Sequence, residues 1–226
     1  MTIGLGSDIK EVYSELGTAV SIISRTPIVT GEKVIYELNS QETKPFIREH
    51  HLDSTFPYDT AVTVEDILEF TETGDHYLVM NKTPEMFENS IVEYSMVLYK
   101  CNLPLTVHIL RPLEIRDAVS YNMIGGWHIV KDSPVYGLIS DRVFGSEITQ
   151  ADTGAGQFPI YRIDLYISKF YGVKPLDRIV VSESEFYKVE TVENYYYPGV
   201  CVCMLVEDTR PVSTIIGDEV YDDEEY

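Results

Sequence analysis

Two blocks of this chain are written to one plan. Asp66-Ile67-Leu68, a turn and Tyr77-Leu78-Val79 share a layout with Asp177-Arg178-Ile179-Val180-Val181, the acidic turn Glu183-Ser184-Glu185 and Phe186-Tyr187-Lys188-Val189-Glu190. The Asp-to-Tyr step is 11 residues in the first block and 10 in the second. Each block runs on into an apolar strand pattern, 92–98 and 200–206, and leaves through a polar exit: Lys100-Cys101-Asn102 in one, Glu207-Asp208-Thr209-Arg210 in the other. A lone hairpin is marginal in water, so a hairpin plus strand needs further strands to cover its apolar face. Two copies therefore predict two small antiparallel β-barrel-like units in tandem.

The remaining patterning fits a mainly β fold. Val20-Ser21-Ile22-Ile23, Lys33-Val34-Ile35-Tyr36-Glu37-Leu38 and Val107-His108-Ile109-Leu110 read as strands, punctuated by Pro27, Gly31 and Pro112. The 17 tyrosines point the same way, because Tyr suits half-buried pleated surfaces. One short helix stands apart. Ser7 is the expected N-cap, Ile9, Val12, Tyr13 and Leu16 form one apolar stripe, and Gly17 stops it. The expected organisation is the helix at 1–17, a first unit at 18–115, a second at 116–212 with a long Gly-containing loop, and an acidic tail at 213–226.

Charge narrows the function. With 17 basic and 37 acidic residues the formal net charge is −20, which opposes the phosphate contacts on which duplex binding depends. No apolar run reaches the roughly 20 residues that span a bilayer, and no secretory leader is visible at the start. The expectation is a soluble protein made in the cytoplasm, without membrane contact. Cys201 and Cys203, two apart in a strand, share a face. With Cys101 they read as buried free thiols rather than metal ligands.

Candidate chemistry is sparse. Ala151-Asp152-Thr153-Gly154-Ala155 has the form of an aspartic protease half-site, with Ile215-Ile216-Gly217 downstream. Thr149-Gln150 stand where a buried strand should deliver the aspartate, so a loop is expected instead. Glu49, His50, His51 and Asp53 could be offered as metal ligands, but adjacent histidines diverge on a strand. The expectation is no catalytic site, no cofactor and no metal. Tyr195-Tyr196-Tyr197-Pro198-Gly199 suits a protein interface, the packing of a loop on its own barrel, or sugar stacking.

The segment Tyr77-Leu78-Val79-Met80-Asn81-Lys82-Thr83-Pro84 leading to Val97-Leu98-Tyr99-Lys100-Cys101-Asn102 resembles the neck (head-completion, head–tail connector) proteins of tailed bacteriophages. So does Asp177-Arg178-Ile179 with Tyr187-Lys188-Val189-Glu190, Tyr197-Pro198-Gly199-Val200 and Glu207-Asp208-Thr209-Arg210-Pro211. In those families a barrel strand ends in an Asp-x-Ile/Val turn followed by a Tyr-x-Val strand. The resemblance implies a structural virion protein, assembled in the host cytoplasm, forming a homo-oligomeric ring between portal or adaptor and tail proteins. Such a ring closes the DNA-filled head and passes DNA without reading it. A tail-terminator or baseplate part is the neighbouring alternative. Expected interface residues are Ile9, Val12, Tyr13 and Leu16 on the helix; Phe46, Ile47 and Arg48 in the loop 39–57; and Tyr195, Tyr196 and Tyr197. The loop 122–157 is expected to make subunit or lumen contacts.

Overall fold

The structure, a computed structural model, describes residues 5–38, 50–116, 123–140, 150–153, 156–159, 163–182 and 184–210. It opens with α1 (Leu5–Leu16), followed by β1 (Thr18–Ile22), β2 (Val29–Leu38), β3 (His51–Pro57), β4 (Ile67–Phe70), β5 (His76–Val79), β6 (Thr83–Phe87) and β7 (Ser90–Lys100). The order β3-β2-β1-β4-β5-β7 closes on itself, because β3 and β7 pair from His51↔Tyr99 to Pro57↔Glu93. The result is a six-stranded antiparallel barrel, with β6 added alongside β7 beyond the end of β5. Alternation fills it: Val20, Ile22, Val34, Leu52, Phe56, Leu68, Phe70, Val79, Met96 and Leu98 all point inward.

The second half holds β8 (His108–Arg116), β9 (Met123–Lys131), β10 (Gly137–Ser140), β11 (Gln150–Thr153), β12 (Gly156–Pro159) and β13 (Ile163–Ser168). After a 3-10 turn (Lys169–Tyr171) come β14 (Arg178–Val180), β15 (Phe186–Glu193) and β16 (Val200–Glu207). The sheet order β13-β16-β15-β14-β8-β9 repeats β3-β7-β5-β4-β1-β2 of the barrel strand for strand. From Leu52 against Ile163 to Phe70 against Val181 the two segments run in step without insertion or deletion. Among the described residues β9 does not pair with β13, and β10 occupies that edge of β13. The mainly β, two-unit architecture read from the sequence is the one observed.

Several local expectations differ. Ser7 lies inside α1 rather than capping it, because the helix begins at Leu5. Gly17 does end it: its N–H bonds the Tyr13 carbonyl at 2.9 Å, and a Cβ there would sit 2.5 Å from that oxygen. Residues 51–57 are a barrel strand, paired on both sides, not part of a loop. The stretch 122–157, expected as a connection and long loops with a strand or two embedded, holds β9 and β10 in the second sheet and most of a separate hairpin, β11–β12. Finally, β8 pairs with β14 and β9. It belongs to the second sheet although it lies before the expected boundary at 115, so the chain changes sheets between Lys100 and His108.

The two units pack directly on one another. Ile67, Leu78, Met80 and Tyr99 on the outside of the barrel meet Leu138, Tyr166, Val200 and Val202 on the outside of the second sheet. Asn102 bridges them like a short strand. Its Nδ2 donates to the Ile139 carbonyl at 2.9 Å, its Oδ1 accepts the Ile139 N–H at 2.8 Å, and its own N–H donates to the Gly137 carbonyl at 3.0 Å. The open edge of β10 is thereby satisfied instead of being left free to pair with another chain.

Candidate functional site

The repeated aspartates are committed to the fold. The Asp66 carboxylate accepts Arg25 Nε at 3.0 Å, Thr63 N–H at 2.7 Å, Thr63 Oγ1 at 2.9 Å and Ser24 Oγ at 3.1 Å. Asp177 accepts Arg111 Nε at 2.9 Å, Arg111 Nη2 at 3.0 Å and the Lys174 N–H at 2.8 Å. The arginines also donate to equivalent carbonyls, Ala61 and Gly172. Glu65 and Leu176, just before the aspartates, have the same φ of 75°. Both carboxylates are buried, and each needs its arginine because an unpaired buried charge is costly. Each locks its turn to the neighbouring segment.

Another buried carboxylate lies just past the end of β16. Asp208 accepts Arg178 Nε at 2.6 Å and Arg210 Nε and Nη2 at 2.9 and 2.7 Å. Arg178 lies 4.1 Å from the centre of the Trp127 ring, and Arg210 4.7 Å. Burial pushes the Asp208 carboxyl up, but hydrogen bonds from Arg210 and Arg178 outweigh it and hold it well below the usual carboxylate range. Arg178, almost wholly buried, gains both a counter-ion and an aromatic face.

Asp152 faces Gln157 in the β11–β12 hairpin, while 154–155 and 215–217 lie outside the described residues. His51 Nε2 is 3.2 Å from Asp53 Oδ1, two residues on and so on the same face of β3. Among the described residues no group of three His, Cys, Asp or Glu is placed to hold a metal. Cys201 and Cys203 share the interior face of β16, with Sγ atoms 3.9 Å apart. Burial pushes the Cys101 thiol up to about 12.

The expected interface residues split. On α1, Tyr13 is buried and Ile9 half-buried, while Val12 and Leu16 are 45 % and 75 % exposed. Phe46, Ile47 and Arg48 lie outside the described residues. Tyr195 and Tyr196 are 97 % and 72 % exposed, but Tyr197 turns into the contact between the two units, its ring against Tyr166.

The duplication gives these tyrosines a counterpart. The register of β15 on β16 matches that of β5 and β6 on β7, so the loop 194–199 is equivalent to the hairpin segment 84–92. That hairpin projects, with every residue of β6 exposed, and carries Met86, Phe87 and Ile91 exposed near its tip. Its two-residue turn, Glu88-Asn89, has φ values of 46° and 65°, the left-handed pair that a tight hairpin requires. In the second unit Lys169 braces the loop, its Nζ donating to the carbonyls of Asn194 and Tyr197 at 2.8 and 2.9 Å. Both units thus hold apolar side chains in solvent on the same connection. Sequence reading missed the hairpin because Glu-Asn lacks the glycine of the common tight-turn pairs; the positive-φ tolerance of Asn89 was the available signal.

No family model, curated protein or solved structure matches this chain.

Proposed function

We propose that this chain is a structural virion protein of the tailed-phage neck, a ring subunit between portal or adaptor and tail that closes the filled head and passes DNA at ejection. One observation carries the reading: both units expose apolar residues on the same connection, Met86, Phe87 and Ile91 in one and Tyr195 and Tyr196 in the other. Apolar side chains held in water on a braced loop and a tight hairpin are devices for contact with another protein. The net charge of −20 supports the channel role, since an acidic wall repels phosphate. Ring formation requires a head-to-tail interface that closes.

The test is the size of the pure protein, alone and mixed with portal and tail proteins. Assembly with both fits a neck position. A particle that stays monomeric and ignores both overturns the proposal, and binding to tail proteins alone moves the chain to a tail-terminator or baseplate role.

A further inference from the structure

The tip of the β6–β7 hairpin presents two faces. Met86 and Ile91 stand directly opposite one another and form an apolar pair. Glu85 and Phe87, two residues apart on β6, share the other face. Glu85 stands directly opposite Glu93. Like charges in that relation repel, so the arrangement costs the free chain stability. Tyr13 donates its hydroxyl to Glu93 at 2.8 Å but brings no positive charge.

The hairpin supplies no cation of its own. From Thr83 to Tyr99 the sequence holds neither lysine nor arginine. The lysines at either end are turned elsewhere. Lys82 donates to the Val62 carbonyl at 2.6 Å and lies over the Tyr94 ring, and Lys100 pairs with Asp75 at 2.8 Å. Glu85 and Glu88 are both exposed, and among the described residues neither is in an ion pair.

Apolar side chains flanked by unpaired acids are complementary to an apolar surface that carries positive charge. A second copy of this chain is poorly supplied with one. Its net charge is −20, and Arg25, Arg111, Arg178 and Arg210 are spent on carboxylates of their own chain.

We infer that the β6–β7 tip docks into a different protein, one that offers an apolar recess for Phe87 with a lysine or arginine at its rim facing Glu85 and Glu93. The arriving cation meets two carboxylates already held side by side, and the repulsion between them in the free hairpin is relieved on binding. The inference rests on the reading of this hairpin as a contact element and names the chemistry of its partner.

The test uses the full-length chain, with a displayed library of short random peptides as the probe. Peptides retained by wild type and lost on Phe87→Ser are expected to combine lysine or arginine with apolar residues. The tightest of them, made synthetically, is expected to bind Glu85→Gln about tenfold more weakly than wild type, and to lose affinity as salt is added. Glu85→Lys is expected to abolish that binding while raising the thermal midpoint of the free chain, a pair of opposite effects that a purely structural role for Glu85 does not produce. Recovery of no Phe87-dependent peptide, recovery of acidic or uncharged ones, or binding indifferent to Glu85→Gln overturns the inference. So does self-association of wild type that Phe87→Ser abolishes, since the occupant is then a second copy. Basic apolar peptides bound at the tip of a chain that ignores portal and tail proteins uphold this surface and refute the neck assignment. Failure of the peptide test in a chain that assembles with both refutes this surface and leaves the neck assignment standing.

Discussion

Asp66 and Asp177 hold the same position in two copies of one turn, each accepting the backbone N–H three residues before it and the Nε of an arginine, Arg25 from the bend after β1 and Arg111 from β8. The arginines come from adjacent register positions, Arg25 matching the place after Arg111, so the ion pair has been kept while its donor has shifted. Replacing Asp177, which is wholly buried, strands the Arg111 guanidinium and the Lys174 N–H. Asp177→Ala is expected to cost about 3 kcal/mol, read as a lower midpoint in urea unfolding.

The Asp208 cluster adds a pH dependence. Its carboxyl is depressed in the folded chain, so its contribution is fully present above the ordinary aspartate value of about 4 and is lost as the pH falls through the folded value. The thermal midpoint of wild type is expected to exceed that of Asp208→Asn by a constant gap above roughly pH 5, and the gap to narrow in stronger acid. A gap that widens with acidification would contradict the arrangement.

Trp127 is the one tryptophan of the chain, so its emission reports this cluster alone. It lies buried, with the guanidinium groups of Arg178 and Arg210 4.1 and 4.7 Å from the centre of its ring. Arg210→Ala is expected to open one face of the ring to water and move the emission to longer wavelength, with β14–β16 still formed by circular dichroism.

The hairpin tip separates folding from assembly. Met86, Phe87 and Ile91 are exposed in the free chain, so Phe87→Ser is expected to change unfolding free energy by no more than about 0.5 kcal/mol. If the proposed neck role holds, its co-migration with portal or tail proteins weakens at least tenfold, measured by size-exclusion binding.

The thiols offer a check on burial. Cys201 and Cys203 face the second core and Cys101 is pushed up to about 12. All three are expected to resist a thiolate-directed reagent at neutral pH in the native chain, and to react at once in denaturant.

The two β units were legible because strand alternation and the Asp-turn-Tyr spacing are local signals, and both repeats lie where those signals predict. The closure of the first barrel was not, since β3 is His51–Pro57, a polar-looking segment whose inward residues Leu52, Ser54 and Phe56 alternate around a serine. That serine is satisfied by the Met96 carbonyl at 2.9 Å, a partner distant in sequence. The assignment of β8 failed for the same reason: its pairing with β14 is a long-range choice that its own residues do not encode. Of the expected contact residues, Tyr195 and Tyr196 stand in solvent and Tyr197 does not, because a loop of consecutive tyrosines must turn some of them back onto the protein.

Covalent fusion of the two β units has a stoichiometric consequence. The projecting hairpin belongs to one unit and the tyrosine loop to the other, while Asn102 and the shared apolar layer hold the pair together. Every copy of the chain therefore carries one of each, in a one-to-one ratio that no change of concentration can alter.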